Sequence, residues 1–120
     1  MSLHHKLCHV LGGTFGLSHA ETHTVVLPHV IAFNAGHAAT AMQTLGDALD
    51  MPDPARGLRS LATTLGLPRW LAELGLRSED LDRATDLALA SPYANPSPVT
   101  AGGVRAVLER ALHGAEPTNA

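Results

Sequence analysis

At 120 residues the chain is long enough for one domain around one core. Apolar residues make up 45% of it and aromatics only 3%, a mix that favours helices packed through Leu and Ala over a β-sandwich built on β-branched and aromatic side chains. Eight Lys plus Arg against 11 Asp plus Glu, a formal net charge of -3, exclude the basic footprint of a nucleic-acid or anionic-membrane binder.

The first expected helix is capped by Ser2 and runs to about Gly12, with Leu3, Leu7, Val10 and Leu11 as its apolar stripe. Gly12-Gly13 should end it, and Thr14 to Leu17 should be a loop. Ser18 and Glu21 have the spacing of a capping box for a second helix, about His19 to Asn34, apolar all round as a central buried helix is. A strand over Thr24 to Phe33 is the rival, but Pro28 and the lack of alternation count against it. A third amphipathic pattern covers His37 to Leu49 and is broken at Met51-Pro52-Asp53-Pro54. Leu58, Leu61, Ala62 and Leu65 form another stripe, ended by Gly66. Pro68 opens a short turn through Trp70 that ends near Gly75. Ser78, followed by Glu79 and Asp80, starts the next helix. Residues 91–98 carry three prolines and form a rigid extended link. Thr100 caps a last helix with Val104, Val107, Leu108, Ala111 and Leu112 on one face. The fold class is all-α, a bundle of short-linked helices over 1–114, with a disordered tail over 115–120.

A single cysteine, Cys8, leaves no internal disulfide, which fits a reducing, cytoplasmic setting. No basic segment followed by an apolar run opens the chain, so no signal peptide is expected. The longest apolar stretch is too short to span a membrane.

Histidine is the unusual residue: five of the eight lie in the first 23 positions, dispersed through apolar sequence. His5/His9 and His19/His23 are both i,i+4 pairs, on successive helices, and a helical wheel places His5 and His9 nearly opposite the apolar stripe. Neutral imidazole suits zinc or ferrous iron, and it also carries protons near neutral pH. Against this stands the ordinary reading, a core histidine with a satisfied hydrogen bond, which is kept for His29, His37 and His113. His4 is expected to be exposed, His23 to orient a neighbour, and Cys8 to be a small buried apolar residue. Asn34 either lines a polar cleft or satisfies backbone at its helix end; the latter is favoured.

The string His5-Lys6-Leu7-Cys8-His9-Val10-Leu11-Gly12-Gly13-Thr14-Phe15, then His19-Ala20-Glu21-Thr22-His23 and Leu27-Pro28-His29-Val30, resembles the maleylacetate reductases of the iron-containing alcohol dehydrogenase family. Asn95-Pro96-Ser97-Pro98-Val99 is similar to their last interhelix link. Ser18 departs from the family's Pro. The resemblance implies the carboxy-terminal helical domain of an NAD(P)H-dependent oxidoreductase that reduces maleylacetate to 3-oxoadipate in aromatic-compound breakdown. It implies catalytic roles for His5, His9 and His19, with His9 beside the nicotinamide. His5 and His19 match iron or zinc positions of metal-dependent relatives, where weak, substoichiometric metal is expected. No G-x-G-x-x-G after a strand and no βαβ alternation occur. The nucleotide-binding domain is therefore expected to be absent, the chain inactive alone, and its partner that missing domain, a second subunit or a further copy of itself. The alternatives are a stand-alone histidine-rich metal-binding module and a non-catalytic partner subunit.

Overall fold

The computed structural model describes residues 2–35, 43–44, 47–48, 53–67, 70–90, 95, 97–115 and 117. Among them there is no strand, and the chain is all-α. The helices are α1 (Ser2–Phe15), α2 (His19–Asn34), α3 (Pro54–Thr64), α4 (Leu81–Ala88) and α5 (Ala101–His113), with 3-10 turns at Leu71–Leu74 and Ser78–Asp80. The helix expected over His37 to Leu49 lies mostly outside the described residues; Gln43, Thr44, Asp47 and Ala48 within it are helical. Most of the tail after Gly114 also lies outside them.

In α1 the stripe Leu3, Leu7, Val10 and Leu11 is buried as its spacing requires. The helix runs through Gly12-Gly13 and stops at Gly16, which takes a φ of 71°. There the Gly16 amide donates to Gly12 O and the Leu17 amide to Leu11 O, both at 3.2 Å. The glycine pair lowers helix propensity by about 1 kcal/mol per residue. Burial of Leu17 and packing of Phe15 on the core outweigh it.

The axis of the fold is α2, packed by α1, α3 and α5. It buries Thr22, Val25, Val26, Pro28, His29, Val30, Ile31, Ala32 and Asn34, so the helix expected to be apolar all round is enclosed. Pro28 stays inside the helix and deprives the Thr24 carbonyl of its usual donor. The capping box does not form: Ser18 is the N-cap, yet its hydroxyl makes no cap bond.

Helix α3 starts where the Met51–Pro54 break ends, with Asp53 Oδ1 accepting from the Arg56 amide at 3.3 Å. Its stripe is only partly covered: Leu58 and Ala62 are half-buried, whereas Leu61 and Leu65 are 48% and 64% exposed. The turn expected through Trp70 starts just after it, at Leu71, and closes at Gly75 as expected, φ 108°. Ser78 begins a 3-10 turn that runs into α4. Thr100 caps α5, its hydroxyl accepting from the Gly103 amide at 3.1 Å. All five residues of the expected α5 face are buried.

Asn95 ties three segments together. Its Oδ1 accepts from the Leu3 amide and from Asn34 Nδ2, both at 3.3 Å, and its Nδ2 donates to Asn34 Oδ1 at 2.6 Å. Asn34 Oδ1 also accepts from the Ser97 amide at 3.2 Å. Asn34 therefore satisfies backbone of the distant interhelix link.

Candidate functional site

The packing of α1 on α2 brings the two histidine pairs to one cleft. A cavity of about 280 Å³ is lined by His5, Cys8, His9, Gly12, Gly13, Leu17, His19 and His23. His5, His9 and His19 are exposed to it, and His23 is half-buried. The i,i+4 spacing sets each pair on one helix face, and the tight Gly16 turn folds the second face onto the first. Gly12 and Gly13 present bare backbone to the cleft: a Cβ at Gly13 would meet nothing within 4 Å.

Behind the exposed imidazoles lies a buried group. His4, expected on the surface, is only 8% exposed. Its Nε2 lies 3.0 Å from His23 Nδ1, and the two rings meet edge-on with centroids 4.7 Å apart. The His19 ring stands 4.2 Å from that of His23. Cys8, at 2% exposure, sets its Sγ 3.9 Å from His4 Nδ1 and 3.8 Å from Nε2. Burial, then the charges of His23 and His5, push the His4 imidazole down to about 4, so it is neutral at physiological pH. Burial first, then His19 and His5, also lowers His23. Burial raises the Cys8 thiol to about 12 and keeps it protonated. The neighbour within hydrogen-bond reach of His23 is His4.

The helical wheel shows why His4, expected to be exposed, is buried. With the stripe centred on Leu3, Leu7 and Leu11, His4 and Cys8 fall on its flank, one turn apart. That flank is buried because α2 packs there. The i,i+4 spacing of His4 and Cys8 was the available signal. Of the histidines expected in the core, His29 is buried at 2% exposure, but its Nδ1 has no hydrogen-bond partner among the described residues. His113 is exposed in the last turn of α5, and His37 lies outside the described residues.

Residues 1–112 match the model of the Fe-containing alcohol dehydrogenase family, C-terminal. A maleylacetate reductase of Burkholderia cepacia is 48% identical over 118 residues, covering 98% of this chain and 34% of that protein. Maleylacetate reductase 1 of Rhodococcus opacus is 48% identical over 117 residues, 98% of this chain and 33% of that one. The crystal structure of maleylacetate reductase from Rhizobium sp. strain MTP-10005 superposes with a TM-score of 0.92 at 46% identity, over 98% of this chain and 33% of that one. The chain thus spans about a third of the length of the curated relatives it matches.

Proposed function

Because the chain belongs to the Fe-containing alcohol dehydrogenase family, matching its C-terminal part, we propose that it supplies the imidazole-bearing wall of an NAD(P)H-dependent reductase acting on maleylacetate. The observation that carries this reading is the cleft that His5, His9 and His19 line together with the bare backbone of Gly12 and Gly13. Three imidazoles in one cavity form a donor array for a dicarboxylate substrate and a proton source for its reduction. His9, on the same face as His5 and one turn nearer the glycine pair, is assigned to the nicotinamide side. His5 and His19 are assigned to the substrate. NAD(P)H supplies the hydride when bound, and Gly12-Gly13 leave room for a flat ring to approach. The described residues hold no strand on which a dinucleotide site of the usual kind could be built. The nucleotide is therefore assigned to a second body, joined to this one or docked on it.

The family carries iron in its name. Here His5 and His19 offer two imidazoles, and among the described residues no third donor converges with them. A metal site ordinarily takes at least three protein ligands, so an ion at His5 and His19 would need further ligands from the second body that holds the nucleotide.

The test is a chimera in which this chain replaces the C-terminal third of the Burkholderia cepacia reductase. Maleylacetate-dependent NAD(P)H oxidation is expected, falling about 100-fold or more on His9→Ala. The 120 residues alone are expected to give none. A chimera that binds NAD(P)H by fluorescence yet turns nothing over, or one indifferent to His9→Ala, would overturn the reading.

A further inference from the structure

We propose that His4, Cys8 and His23 form a metal site of their own in the inner wall of the cleft, suited to zinc or another borderline-soft divalent cation. The site is distinct from the pair His5 and His19. It is argued from donor geometry and stands whether or not the chain serves a reductase.

Each of the three residues offers one ligand atom, and these atoms all lie within 4.8 Å of one another. Tetrahedral zinc, with Zn–N about 2.0 Å and Zn–S about 2.3 Å, needs donors about 3.3 Å apart for two nitrogens and about 3.5 Å apart for nitrogen and sulfur. The observed His4 Nε2 to His23 Nδ1 separation is 3.0 Å, and Cys8 Sγ to His4 Nε2 is 3.8 Å. Sγ is almost equally far from both nitrogens of His4, so it lies against the ring and off the lone-pair axis. Ligation would require the imidazole and the thiol to turn about their side-chain bonds. His4 and Cys8 are one turn apart on α1, and His23 faces them from α2. The donors thus span two helices already packed together, which spares the ion the work of assembling them.

The donor chemistry selects the ion. Two imidazoles and a thiolate suit zinc, and the absence of an oxygen ligand in the group disfavours magnesium and calcium. The thiol proton leaves to solvent as the ion enters. Cys8 and His23 line the cavity while His4 sits behind them, so the fourth coordination position opens on the cleft.

Cobalt reads the site out. The metal-free, reduced 120-residue chain is titrated with Co²⁺, and bound metal is also counted after zinc loading. The expected result is about one ion per chain, tetrahedral visible bands and a thiolate-to-cobalt charge-transfer band. Cys8→Ser and His23→Ala should abolish the charge-transfer band and bring bound zinc near zero while the far-ultraviolet circular dichroism stays helical. His5→Ala and His19→Ala should retain the band. A saturating titration without a thiolate band, or a band that survives Cys8→Ser, would overturn the site. So would loss of metal on His5→Ala or His19→Ala with Cys8→Ser unaffected, which would place the ion at the exposed pair.

Discussion

His29 shows what burial does to one side chain. It is 2% exposed, its Nδ1 lacks a partner among the described residues, and burial, aided by Arg59 and Arg110, lowers its pKa from 6.5 to about 4. The two guanidinium groups oppose a further positive charge on the imidazole. In the unfolded chain the imidazole titrates near its ordinary value, so between pH 6.5 and about 4 the unfolded state binds more protons. The contribution is complete above 6.5 and is lost as pH falls toward about 4. It is worth up to about 3 kcal/mol. Urea unfolding across that window should show stability falling with acidification, and His29→Gln should flatten the slope. An unchanged slope in the variant would remove His29 as the cause.

Among the helices, the start of α5 separates local propensity from packing. Gly102 and Gly103 are adjacent and both helical. A Cβ at Gly102 meets nothing within 4 Å, whereas one at Gly103 would lie 2.8 Å from Cε1 and 3.2 Å from Cζ of Phe33 on α2. Gly102→Ala gains helix propensity alone and is expected to stabilise by about 0.5 kcal/mol. Gly103→Ala gains the same propensity but must displace the Phe33 ring, and a net loss of about 1 kcal/mol is expected. Thermal melts should move in opposite directions; two shifts of the same sign would mean that Phe33 yields freely. The end of α1 follows the same logic. Gly12-Gly13 is a weak helical pair that the helix nevertheless passes through, because Leu17 beyond it is buried.

Across the whole molecule, a Cα radius of gyration of 13.3 Å is close to the roughly 14 Å of a folded domain of this length. One large core joins α1, α2, α4, α5 and the Leu71–Leu74 turn, while Ile31, Ala32 and Ala55 form a small separate cluster where α3 meets α2. The leucines are therefore unequal. Leu108→Ala, at a fully buried position, is expected to cost about 2–5 kcal/mol. Leu65→Ala, at 64% exposure, should stay within about 0.5 kcal/mol. Urea unfolding of the two variants checks this; comparable losses would mean that Leu65 is covered in solution. Among the described residues no helix is long and apolar enough to cross a membrane.

The sequence by itself determined the all-α class, the buried stripes of α1 and α5, the Thr100 cap and the pairing of His5 with His9 and His19 with His23. Each of these rests on a 3.6-residue period or a cap within a few positions, and such local terms can be read along one strand of text. Tertiary structure alone decided that α1 ends at Phe15 and not Gly12, that Ser18 caps without its hydroxyl, and that Leu61 and Leu65 stay exposed. It also decided that Asn34 holds Asn95, 61 positions away, and that His4 is buried against His23 and Cys8. Burial and partnership belong to two surfaces at once. His4 sits on the flank of its stripe, where the wheel is indifferent, and only the face of α2 laid against it settled whether that imidazole meets water or another imidazole.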